Sequence, residues 1–295
     1  MRRVAILCLL VLAACSKESP PAEPVLLYAH EGAQAAGIET LLSRFTSETG
    51  IPVTLHYDQS AALTDDVINK RGSPQADVLL TSNAADIWRA ADAGALRPIQ
   101  GGTEQVQDIL RDPDGLWVAA MVRTPMIVVA KGASFEGLES YDDLGRESMA
   151  GRLCLGTSTL PAYHALVAMM IEVHGNKPAE RMIRRWVRNL ALPPFTNDKD
   201  LLDAIARGDC EIGLVASGAN LGGLQTFGFR APYFDIDGLG VGRHASHPDS
   251  AQRLVKWLIR EQEIAVNADH FTLNAGVVGY RDEEARLLAE RAGYR

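Results

Sequence analysis

The stretch ADVLLTSNAADIWRAADAGAL, Ala76 to Leu96, decides how this chain folds. Its first half is a short apolar run that ends at Thr81-Ser82-Asn83, the pattern of a buried strand. Its second half reads as a helix that gives out at Gly94-Ala95-Leu96. Toward the N-terminus the same unit occurs twice more. PVLLYAH (24–30) is a buried-strand run, and AAGIETLLSRFTSETG (35–50) follows with Ile38, Leu41, Leu42 and Phe45 at helical spacing and a glycine stop at Gly50. IPVTLHYD (51–58) is the next strand and AALTDDVINKRG (61–72) the next helix. Strand and helix alternating in this way imply a parallel sheet with helices on both faces. Such sheets hold ligands at the carboxyl ends of their strands. That nominates Tyr28, His30 and Glu31, the run Tyr57-Asp58-Gln59-Ser60, and Ser82 with Asn83.

Toward the C-terminus a second strand-helix series begins at PMIVVAKG (125–132) and GRLCLGTS (151–158) and runs to EIGLVASG (211–218). DGLGVGRHA (237–245) and a helix with Leu254, Trp257 and Leu258 at core spacing come after it. Two separate series in 295 residues fit two α/β lobes with a cleft between them better than one continuous unit.

The N-terminus sets the compartment. Arg2-Arg3 precede a run from Val4 to Ala14 that is too short to span a bilayer and reads as a secretory signal peptide. The LAAC ending (12–15) resembles the bacterial lipobox, which implies cleavage before Cys15 and acylation of its thiol. Residues 16–24 read as a flexible tether. The net charge of −8 becomes −10 when Arg2 and Arg3 leave, which argues against nucleic acid as a partner. Cys154 and Cys210 then remain in an oxidising compartment, each at a strand, and the expectation is a disulfide. Two buried thiols are the alternative.

Several blocks together resemble bacterial extracellular solute-binding proteins, in the branch that includes the ferric-ion-binding proteins. They are YAHEGAQAAGIETLLSRFTSETGIPVTLHY (28–57), GSPQADVLLTSNAADIWRAADAGALRPI (72–99), GLWVAAMVRTPMIVVAKG (115–132), SYDDLGRESMAGRLCLGTST (140–159) and GLGVGRHASHPDSAQRLVKWLI (238–259). The resemblance implies a two-lobed periplasmic-binding-protein fold of the second type. Each lobe would be a mostly parallel sheet flanked by helices, with a ligand cleft at the hinge. Lobe 1 is expected over 25–122 and 236–295, and lobe 2 over 123–235. The implied role is capture of a solute for an ABC permease in the inner membrane, by a monomer held at the membrane surface through Cys15.

The metal chemistry of that branch fits these residues poorly. Its members hold Fe³⁺ with adjacent tyrosines at the end of the strand matching EIGLVASG, and with a histidine and a glutamate from the first lobe. The resemblance places Gly218 and Ala219 at the tyrosine positions, Ser82 at the glutamate position and Gly32 at the histidine position. Glycine and alanine side chains supply none of the anionic oxygens that a hard trivalent cation needs, and His30 with Glu31 are too few. The expected ligand is therefore a polar or anionic organic solute, with no resident metal or cofactor.

The groups left to hold it are Thr157, Ser158 and Thr159, at a helix start marked by Pro161 and favourable to anions. Arg123 joins them as a carboxylate partner, unless it is spent on an ion pair in the hinge. Ser217 and Asn220 offer neutral hydrogen bonds, and Tyr28 and Tyr233 are either cleft walls or strand core. Three alternatives stay open. The small residues 216–219 leave room for a lipid or sterol, iron is retained through a co-ligand such as citrate, or the protein presents its ligand to a membrane kinase. The sequence contains no metal-spaced cluster, activated serine motif or phosphate-cradling loop, so a binding protein is expected and not an enzyme.

Overall fold

A computed structural model describes residues 23–70, 75–134, 136–229, 233–261 and 271–295. The expected leader (1–14), Cys15 and the tether through residue 22 lie outside the described residues.

The N-terminal alternation becomes β1 (Val25–His30), α1 (Gly32–Ala35), α2 (Ile38–Thr49), β2 (Val53–Asp58), α3 (Ser60–Asn69), β3 (Val78–Leu80), α4 (Ala84–Asp92) and β4 (Leu96–Arg97). β1 pairs in parallel with β2 on one side and β3 on the other. Five of its six residues are buried, as an apolar strand between two helix layers requires. α2 buries Ile38, Leu42 and Phe45 and stops at Gly50, which adopts a left-handed φ of 72°. α4 is capped by Asn83, whose Oδ1 accepts the Asp86 N–H at 2.7 Å.

β5 (Trp117–Arg123) and β6 (Pro125–Val129) are separated only by Thr124. β5 belongs to the first sheet and β6 to the second, so the chain crosses between lobes at this one residue. The second lobe then forms β7 (Leu153–Cys154), α5 (Pro161–His174), α6 (Asn176–Arg188), α7 (Asp198–Arg207), β8 (Ile212–Ala216) and β9 (Gln225–Phe227). Its sheet runs β7-β8-β6-β9. β7 is parallel to β8, and β6 is antiparallel to both β8 and β9. β10 (Asp235–Gly242) returns to the first sheet antiparallel to β3, β4 and β5. Both sheets are therefore mixed. A strand returning from the other lobe enters its sheet from the cleft end, opposite in direction to the strands that lead toward the cleft.

α8 (Pro248–Glu261), α9 (Gly276–Tyr280) and α10 (Asp282–Ala292) close the molecule. Leu254, Trp257 and Leu258 are buried, and Trp257 packs edge-on against Phe45 at 5.7 Å. α9 lies against α4, so closely that a Cβ on Gly279 would fall 2.3 Å from Trp88 Cβ. The stretch 236–295, expected in lobe 1 throughout, divides. α10 packs on α5 and α6, and beyond it the Tyr294 hydroxyl donates to the Gly156 carbonyl at 2.6 Å. Cys154 and Cys210 stand at disulfide geometry, with Cα atoms 6.0 Å apart.

Candidate functional site

Where β1, β5 and β10 meet beside the crossing, four ionisable side chains come together. Asp237 is almost wholly buried. Arg123 grips it with both guanidinium nitrogens, Nη2 to Oδ2 at 2.7 Å and Nη1 to Oδ1. His30 Nε2 lies 3.4 Å from the same carboxylate without forming an aligned hydrogen bond. Burial works to raise the pKa of Asp237, yet His30 and Arg123 outweigh it and hold the carboxyl below its ordinary value. Burial likewise opposes the charge of Arg123, and the bonds to Asp237 more than restore it. Asp235 accepts the Ala84 N–H at 2.9 Å and its neighbour's at 2.8 Å. It is otherwise entombed, and burial pushes its carboxyl up to about 7.

This arrangement decides several expectations. Arg123 is engaged within the hinge by an intramolecular pair. Tyr28 and Tyr233 are core residues and not cleft walls: Tyr28 is 7 % exposed and packs on the His56 ring at 4.8 Å. Tyr233 is 6 % exposed and its hydroxyl meets His174 Nε2 at 2.8 Å. Each finds an aromatic or imidazole partner inside its lobe, which satisfies a large ring better than a wet cleft does.

The loops at the strand ends carry the other candidates. Glu31 is exposed at the start of α1 and makes no capping bond. The Ser82 N–H donates to Ser60 Oγ at 3.1 Å, and Asn83 is spent on capping α4. In the second lobe Thr157 and Thr159 bond each other at 3.0 Å. The cap position of α5 is Leu160, with no side-chain cap, so neither hydroxyl is consumed there. Ser158 differs, because its hydroxyl donates to the Tyr294 carbonyl at 3.0 Å and ties down the C-terminus. Ser217 Oγ accepts the Thr124 N–H at 3.0 Å and braces the crossing. Asn220 is exposed, and Gly218 sits at φ 90°, where a tyrosine side chain would be strained.

Three acidic residues at the site escaped the sequence reading. Asp235 and Asp237 are spaced two apart, which puts both on one face of a strand. Their signal was the pair of charges in the run FDIDGLG (234–240), otherwise apolar or glycine. Asp198, at the start of α7, accepts the Ala216 N–H, and burial raises its pKa. Among the described residues no three His, Cys, Asp or Glu side chains converge as a metal site.

Two mixed α/β lobes are joined at this crossing, and the family model for bacterial extracellular solute-binding proteins matches residues 26–271. The chain belongs to that family. The binding protein is 27 % identical over 262 residues to iron uptake protein A1 of Synechocystis, covering 80 % of this chain and 72 % of that one. It is 23 % identical over 259 residues to the Fe(3+)-binding periplasmic protein of Serratia marcescens, covering 81 % and 76 %. Its fold matches a Trichodesmium protein solved in complex with iron and citrate, with a TM-score of 0.79, 25 % identity, and coverage of 92 % of this chain and all of the other. The apo ferric ion-binding protein A of Pasteurella haemolytica shares the fold at a TM-score of 0.80 and 20 % identity.

These relatives overturn the expectation of an iron-free organic solute. That expectation weighed only the donors a protein chain supplies, and Gly218 and Ala219 do lack them. It gave too little weight to iron that arrives with oxygens of its own, as in the Trichodesmium complex with iron and citrate.

Proposed function

We propose that this binding protein carries iron for an ABC importer and receives it as an oxygen-rich chelate such as ferric citrate. The observation that carries the reading is the likeness to Synechocystis iron uptake protein A1 across four-fifths of the chain. The chelated form follows from the donor set. Arg123 is committed to Asp237 and His30 is buried beside the same carboxylate, and residues 218 and 219 offer no side-chain oxygen. A co-ligand would fill the coordination sphere that these side chains leave open. The groups proposed to hold its carboxylates are the Thr157 and Thr159 hydroxyls on the second lobe, which bond only each other, with Ser82 on the first, whose hydroxyl accepts only from the neighbouring Asn83 amide. In the same reading the protein is a periplasmic monomer anchored through Cys15, where a Cys154–Cys210 disulfide is at home, and it hands its cargo to the permease.

The test is native mass spectrometry and calorimetric titration of the chain with ferric citrate. A complex whose mass carries both iron and citrate is the expected result. Stoichiometric iron without citrate would overturn the chelate, and retention of neither would overturn the iron reading.

A further inference from the structure

On the second lobe, α6 presents Arg181, Arg184, Arg185 and Arg188 around one open cavity of about 400 Å³, lined also by Val187 of the same helix and by Ala292 at the end of α10. The spacing i, i+3, i+4, i+7 puts all four guanidinium groups on one helix face. The chain as a whole is acidic, at −8, so this concentration is local. Arg184 is answered by Glu180 and Arg185 by Asp142. Arg291 of α10 also leans on Glu180. Arg181 and Arg188 have no hydrogen-bond or ion-pair partner among the described residues. Like charges three and four apart work against a helix. The helix dipole favours cations in the last turn, which accounts for Arg185 and Arg188 but not for Arg181.

The support beneath these arginines is rigid. Ala179, Met182, Ile183 and Trp186 bury the opposite side of α6. The Trp186 indole donates to the Tyr141 carbonyl at 2.8 Å, and Asn189 donates to the Leu144 and Arg146 carbonyls at 2.8 and 2.7 Å. Arg185 lies across Gly145 so closely that any Cβ there would fall 2.8 Å from its Cβ and Nε.

We propose that this pocket is an anion site, separate from the interlobe cleft, which takes a phosphate-bearing ligand. Two free planar forks on one cavity suit a phosphate, whose anionic non-bridging oxygens, in a terminal phosphate or a phosphodiester alike, can accept from more than one guanidinium at once. The phosphate can belong to a soluble oligophosphate or to a phospholipid headgroup, and the test separates them.

The full chain is titrated with inorganic pyrophosphate and, separately, sedimented with vesicles of phosphatidylglycerol or phosphatidylcholine. The Arg181→Glu/Arg188→Glu variant is compared with a charge-matched control, Lys131→Glu/Arg253→Glu, at exposed positions outside α6. Ferric citrate titration and the unfolding midpoint report that both variants fold. The expected result is a loss of about tenfold or more in the α6 variant, since a charge-assisted bond to an anion is worth roughly that factor, with little change in the control. Loss confined to pyrophosphate supports a soluble ligand. Loss in the preference for phosphatidylglycerol vesicles, with or without pyrophosphate, supports a headgroup. Failure of the native chain to bind either probe, or equal losses in the two variants, overturns the proposal.

Discussion

At the scale of single residues, the buried charges beside the crossing dominate. Arg123 and Asp237 are a diagonal cross-strand pair, since Arg123 lies opposite Asp235 and reaches two residues along β10. Breaking such a pair strands a charge in a poorly solvated place. Asp237→Asn is therefore expected to lower stability by about 3 kcal/mol, read as a shift in urea midpoint. Asp235 behaves in the opposite sense. Its folded pKa is raised from 3.8 to about 7, so between those values the native state holds a proton that the unfolded chain releases. Its contribution to stability must fall as pH rises through that window and level off above it. Asp235→Asn keeps an acceptor for the Ala84 N–H without titrating, so its urea midpoint should gain on that of the native chain from pH 4 to pH 7. A constant offset across that range would show that Asp235 does not titrate there. His30 was visible in the sequence at a strand end, and Arg123 as a charge in the segment that joins the lobes. Their partner was not, because Asp237 follows Arg123 by 114 residues and only sheet pairing brings them together.

At the scale of elements, hydrophobic period and glycine stops located most of the helices and strands. α2 and α4 each lie within the segment whose spacing marks it as helix, because an amphipathic stripe is a local property. The direction of pairing was less legible. β6 and β10 look like any buried strand, and their antiparallel placement follows from the crossing between lobes. The contact of α9 with α4 depends on the missing side chain at Gly279. Gly279→Ala should force these helices apart and cost about 1–3 kcal/mol. Loss of the Trp88 near-ultraviolet dichroism should accompany it, and an unchanged midpoint would show that α9 tolerates the shift. The helix start marked by Pro161 was legible in the sequence and α5 begins there, but that Thr157 and Thr159 bond each other and that Ser158 is held by the C-terminus depends on how the loop closes and where α10 docks.

At the scale of the molecule, a single-residue crossing at Thr124, a return strand at β10 and an α10 that packs on the second lobe tie the two lobes together. Cys154 and Cys210 stand where a disulfide would staple β7 to the approach to β8 across 56 residues of sequence. Denatured protein prepared without reductant should show neither of these thiols free, and replacing both cysteines with alanine should cost about 2–4 kcal/mol. Two reactive thiols at these positions would return the pair to the buried-thiol alternative.

The sequence by itself determined the α/β class, the division into two series, the family, and the absence of tyrosine at residues 218 and 219. All of these are carried by local composition or by colinear motifs. Only the tertiary structure decided that Arg123 is consumed by Asp237, that Tyr28 and Tyr233 are core, that α10 belongs with the second lobe, and that four arginines of α6 share a cavity. Each of these depends on which groups end up neighbours after burial, and a buried polar group takes whatever partner the fold places within reach.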